Sequence, residues 1–182
     1  MEKKLLVILF SFCAITFVAK TCFAETLTLD LAKLKVKAAA KLIEEKGEAA
    51  FPELRDPAGE FRFGEGKGYI WVHDLSGKML MHPTQPELEG TNMLDYKDSS
   101  GFAFFISMNE IAKKYGEGWV VYLWPKPGKK IEELKSSYVI LAKNADKEYV
   151  VGCGMYNVNK EYIKSLYPRD IIYSSENSNE GL

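Results

Sequence analysis

The sequence predicts an α+β domain, a five-stranded antiparallel sheet with helices to one side. Two observations carry this. Between residues 69 and 153, five short runs rich in aromatic and β-branched residues follow one another with turn residues between them, interrupted by one helical stretch after the second. Ahead of them, apolar residues recur every three or four positions, the period of a long amphipathic helix.

The elements follow in chain order. Lys3 and Lys4, an apolar run over residues 5–19, and Cys22-Phe23-Ala24 before Glu25 have the layout of a secretory signal peptide over residues 1–24, cleaved near Ala24. The run is shorter than the roughly 20 residues a spanning helix needs and Lys20 closes it, so an uncleaved anchor is the weaker alternative. Lys20, two positions before Cys22, also argues against lipoprotein processing. Nothing after residue 24 has spanning length, so the expected product is periplasmic or secreted, with one domain over residues 25–168 and a flexible polar tail over 169–182.

Leu27, Leu31, Leu34, Ala38 and Leu42 mark the apolar stripe of the long helix, which ends near Gly47, and a short helical piece covers residues 48–54. Residues 69–73 form a strand, Asp74-Leu75-Ser76-Gly77 a turn, and residues 78–82 the returning strand. Period two places Tyr69, Trp71 and His73 on one face of the first strand, and Leu80 and His82 on one face of the second. Residues 83–100 form a long loop, of the kind that walls or lids a binding site. Asp98, Ser99 or Ser100 then caps a helix over residues 102–115. Strands over 119–124, 134–141 and 149–153 and a closing helix over 159–166 complete the domain.

Composition narrows the function. With 24 Lys and Arg against 25 Asp and Glu, the net charge of −1 argues against nucleic acid as a partner. Cys153 has no mate once residues 1–24 are removed, and its pairing with His82 as nucleophile and base is disfavoured by its place in a strand between Gly152 and Gly154. No GxSxG, HExxH, Walker or CxxCH motif occurs, so no enzyme activity and no cofactor are expected. Asp95, Asp98 and Ser99 lack the spacing of a calcium loop, and His73 and His82 that of a zinc site, so no metal is expected either. What remains is an aromatic constellation around one lysine: Tyr122 and Trp124 on one strand, Lys135 and Tyr138 at the next, and Tyr69, Trp71 and His82 from the hairpin. Such a face suits a small organic anion, the lysine matching its charge and the rings enclosing its carbon tail. The bland alternative makes Tyr122 and Trp124 ordinary core and Lys135 a solvated edge residue.

The motif order Gly68-Tyr69-Ile70-Trp71-Val72, Asp74-x-x-Gly77, His82-Pro83, Glu89-Gly90-Thr91-Asn92, Asp98-x-x-Gly101, Gly118-Trp119-Val120 with Tyr122 and Trp124, Pro125-Lys126-Pro127-Gly128, Lys135-Ser136-x-Tyr138-Val139 and Val151-Gly152-x-Gly154-x-Tyr156 resembles the single Cache domains of the second type. These are the outer sensor modules of bacterial chemoreceptors and sensor kinases. The resemblance implies a PAS-like fold with the long helix laid across the sheet. It also implies a ligand of the acetate, propionate, pyruvate or lactate class held by His82, Tyr122, Trp124 and Lys135, with Tyr69, Trp71 and Tyr138 as weaker candidates and Arg62 as a second cation. Receptors of this kind continue into a second membrane helix, and this sequence does not. The expected role is therefore ligand capture for a separate membrane sensor kinase, chemoreceptor or transporter. The alternative is an interaction module without a small-molecule ligand, docking such a partner.

Overall fold

The computed structural model describes residues 26–176, so the expected signal segment and residues 177–182 of the expected tail lie outside the described residues. Helix α1 (Leu29–Lys46) starts where the Thr28 hydroxyl accepts the Leu31 N–H at 3.1 Å, with Asp30 in its first turn and Lys46 in its last, both favourable to the helix dipole. It buries Leu29, Leu31, Ala32, Val36, Ala39, Ala40 and Ile43. This corrects the expected stripe: Leu34 is 63% exposed. The alanines at 32, 39 and 40 let the helix backbone approach the sheet closely, and that close approach selects the buried face over the larger leucines.

A 3₁₀ turn (Gly47–Ala50) leads into α2 (Phe51–Arg55). Strands β1 (Arg62–Phe63) and β2 (Gly68–Tyr69) pair as a separate small ribbon, so Tyr69 and Trp71 belong to different strands. Then come β3 (Trp71–Asp74), β4 (Met79–Met81), α3 (Phe104–Tyr115), β5 (Glu117–Pro125), β6 (Glu132–Asn144), β7 (Lys147–Tyr156), α4 (Lys160–Leu166) and β8 (Ile172–Ser174). Asp74 Oδ1 accepts the Ser76 and Lys78 N–H groups, and Gly77 takes the left-handed conformation that closes the β3–β4 turn.

The main sheet has the order β4-β3-β7-β6-β5-β8. The first hairpin closes against the last long strand, which puts β3 beside β7. The expected α+β class and the helix across the sheet are both present. Two features differ from expectation. The sheet gains a sixth strand, β8, running parallel to β5 from inside the stretch read as a tail, so the folded domain reaches Ser174. And the helices cover both faces. Val121, Tyr138 and Val151 pack with α1, whereas their neighbours Val120, Val139 and Val150 pack with Phe104, Met108 and Ile111 of α3. A sheet buried on both sides explains the unbroken apolar run Trp119-Val120-Val121-Tyr122.

Candidate ligand-binding site

On the α3 face, the ends of β3, β5 and β6 meet the chain that follows β4. Lys135 is 2% exposed although it carries a charge. It sits opposite Tyr122 on β5 and Tyr156 on β7, and its side chain runs across the sheet over Gly154. A Cβ on Gly154 would lie 2.2 Å from Lys135 Cε and 2.7 Å from Ser137 Oγ, so only glycine leaves the lysine its path. Gly152 serves Trp71 in the same way, its added Cβ falling 2.4 Å from the indole ring.

The Lys135 ammonium donates to Tyr69 Oη at a long 3.3 Å and lies 5.4, 5.1 and 5.2 Å from the ring centres of Tyr69, Trp71 and Tyr156. Burial works against its charge, but the phenols of Tyr122, Tyr69 and Tyr156 outweigh burial and raise its pKa above the ordinary lysine value. Among the described residues it enters no ion pair.

His82 follows directly on β4. Its Nδ1 accepts the Gln85 N–H at 3.0 Å, so the neutral ring carries its proton on Nε2, which no hydrogen bond engages among the described residues. Burial first, and then the Lys135 charge, push the His82 pKa down to about 3, keeping the ring neutral. Trp71 Nε1 is also buried without a partner. Tyr122 is stacked on Phe104 at 4.2 Å, with its hydroxyl engaged by Ser137 at 2.9 Å. Trp124 meets Phe104 edge-on at 5.5 Å. Together Trp71, His82, Tyr122, Trp124 and Lys135, with Leu88 from the long loop and Phe104 from α3, line a narrow cavity of about 10 Å³, room for about one water. The polar groups facing it are the Lys135 ammonium, held by one long hydrogen bond, and the unengaged His82 Nε2–H and Trp71 Nε1–H, all donors. Such a set is arranged to receive an anion.

Five of the seven expected site residues thus line one cavity, and Tyr69 borders it through Lys135 and the His82 ring 5.3 Å away. Tyr138 does not join them. It lies on the α1 face, 5.0 Å from Trp119, because residues 135 and 138 of one strand point to opposite sides. Arg62 stacks over Tyr69 at 5.7 Å, in a separate cleft. Leu80 packs towards the α1 side, so it does not share a face with His82. Cys153 also belongs to the α1 face, away from His82, and burial pushes its thiol up to about 12. Asp98 is not a helix cap: its carboxylate accepts N–H groups of Ser100, Phe102 and Leu123 and ties the long loop to β5. Among the described residues no three His, Cys, Asp or Glu side chains group as metal ligands would. Phe104 is absent from the sequence expectation, and Tyr156 and the two space-making glycines figure in it only as motif residues, without a role at the site. The Gly-x-Gly of a strand was the available signal.

A family model described as Cache domain matches residues 31–174. The chain belongs to the Cache domain family. Across 106 residues this Cache domain is 35% identical to the methyl-accepting chemotaxis protein McpP of Pseudomonas putida, the match covering 57% of the chain and 19% of that protein. Across 132 residues it is 31% identical to the sensor histidine kinase MctS of Rhizobium johnstonii, covering 70% of the chain and 28% of that protein. The match thus spans less than a third of either curated relative. Among solved structures, it is similar to a periplasmic sensor domain of a chemotaxis protein, with TM-score 0.60 and 34% identity over 69% of this chain and 92% of that one. A second structure, described as the basis for carboxylic acid recognition by a Cache chemosensory domain, has TM-score 0.60 and 31% identity over 71% of this chain and 92% of that one. Among the described residues of this Cache domain, no helix is long and apolar enough to cross a membrane.

Proposed function

We propose that this chain binds a short carboxylate, of the acetate, propionate, pyruvate or lactate class, in the chamber beneath Lys135, and recognises it without transforming it. The observation that carries this reading is the buried ammonium, which has no carboxylate partner among the described residues and lies beside two unengaged N–H donors. A ligand carboxylate would supply the missing counter-charge and accept all three donors. The Cache neighbour described by its carboxylic acid recognition supports the same class. The protein acts in the periplasm or outside the cell after a signal peptide is removed near Ala24, and its ligand state is read by a membrane sensor kinase, chemoreceptor or transporter.

The tightness of the chamber favours a second reading, an interaction module whose aromatic face is simply core. A thermal-melting screen against two- to four-carbon carboxylates, amino acids and amines separates the two. Carboxylate binding predicts a rise of roughly 5–10 °C at a hundredfold excess over Kd, lost in Lys135→Ala. No shift with any compound leaves the interaction module standing.

A further inference from the structure

The chamber holds about one water, so a carboxylate with a carbon tail enters only if one of its walls moves. Phe104, Phe105 and Leu88 in its wall are buried, and opening there would pull α3 or the long loop off the sheet; Trp124, which also lines it, is half-buried but packs edge-on against Phe104. The side of the Lys135 ammonium is different. Behind Tyr69 and Tyr156, the two phenol rings that flank the Lys135 ammonium, lies an open cleft of about 600 Å³. Its lining includes Arg62, Lys67, Lys126 and Lys129 and no acidic side chain among the described residues. Lys67 and Lys126 are paired with Glu65 and Glu133, whereas Arg62 and Lys129 enter no ion pair among the described residues.

We propose that this cationic cleft is the entrance by which the small organic anion reaches Lys135, and that Tyr156 is the ring that moves aside to admit it. The inference rests on the carboxylate reading above and adds the route. Tyr156 suits the task by position. It is the last residue of β7, is half-buried, and is followed by Asn157 in the left-handed region, where the strand ends. Its hydroxyl donates to the Pro125 carbonyl at 2.9 Å. Swinging the ring breaks that bond and leaves the sheet ladder intact. Ammonium groups stand 5.2 Å (Lys135) and 5.4 Å (Lys126) from its ring centre, so an anion that displaces the ring passes from the field of one cation to that of the other.

Stopped-flow tryptophan fluorescence with propionate, using Trp71 and Trp124 in the chamber wall as reporters, tests the route at low and high ionic strength. A variant carrying both Lys67→Glu and Lys129→Glu, at two exposed positions, is expected to slow association about tenfold at low salt. The difference should vanish at high salt, with dissociation unchanged. Tyr156→Phe keeps the ring and removes only its hydrogen bond, and is expected to speed association and dissociation together. Association that ignores the charge reversal at every salt concentration overturns the entrance. A Tyr156→Phe effect confined to dissociation makes Tyr156 a ligand contact and overturns the gate, as does no effect at all. If equilibrium titration shows that the unaltered protein binds no carboxylate, the parent reading and the route fall together. Binding with unresponsive rates removes the route alone.

Discussion

Taking an ammonium out of water costs several kcal/mol, and Lys135 meets that cost with the surrounding phenols, one long hydrogen bond and three ring contacts, without a carboxylate partner among the described residues. A residue kept at such a cost for binding should stabilise the empty protein when it is made apolar. Lys135→Met is therefore expected to abolish carboxylate binding while raising ligand-free stability by about 1–4 kcal/mol in urea unfolding. Lys126→Ala, at the outer face of Tyr156, should leave most of the equilibrium affinity in place. Gly154→Ala, whose methyl would meet Lys135 Cε, is expected to weaken binding and to cost about 1–3 kcal/mol through forced repacking, measured by calorimetry and unfolding together. At this scale the sequence was readable where chemistry is unusual. A lysine among Tyr122, Trp124, Trp71 and His82 stands out without coordinates. Tyr138 groups with Lys135 only by nearness in sequence: within the strand over 134–141, residues 135 and 138 differ in parity and face opposite sides. Tyr156 stands in the Val151–Tyr156 motif without a site role, because the strand expected over 149–153 stops three residues short of it.

Elements settle which face is buried. In α1, Ile43 is fully buried against the sheet while Leu34 projects outward. Ile43→Ala is expected to lower stability by about 2–5 kcal/mol, and Leu34→Ser to change it by less than about 0.5 kcal/mol. A urea midpoint for each variant checks both. Helical periodicity gave the existence and length of α1, but two overlapping stripes fit it, and only the close approach of the sheet selects the alanine-rich one. The same reasoning explains β8. Its three residues carry too little pattern to announce a strand, and it forms because β5 offers a free edge and Asp170 anchors the segment, accepting from Lys33 Nζ at 2.6 Å and Trp119 Nε1 at 3.0 Å.

Across the whole molecule, the two histidines tie stability to pH. His73 is fully buried against Asn109 and Phe105, and burial pulls its pKa down to about 4; His82 is held at about 3. An unfolded histidine titrates near 6.5, so below that pH the unfolded chain binds protons that the folded chain refuses. Stability is therefore highest above about pH 6.5 and falls as pH decreases towards 4, by about 3 kcal/mol from His73 alone. Urea unfolding at pH 7, 5.5 and 4 should show the decline, and His73→Gln should remove about half of it, the rest coming from His82. The strand order β4-β3-β7-β6-β5-β8 follows from long-range pairing that no local pattern encodes. It is this order that brings Trp71 and Lys135 to opposite flanks of β7, so that one chamber forms between them.

The most direct test is a crystal structure of the protein grown with propionate. The account predicts carboxylate density within hydrogen-bond reach of Lys135 Nζ, His82 Nε2 and Trp71 Nε1, with the ethyl group towards Phe104 and Tyr122 and the chamber enlarged. Propionate bound elsewhere, with Lys135 still enclosed by its rings as in the empty protein, would contradict it.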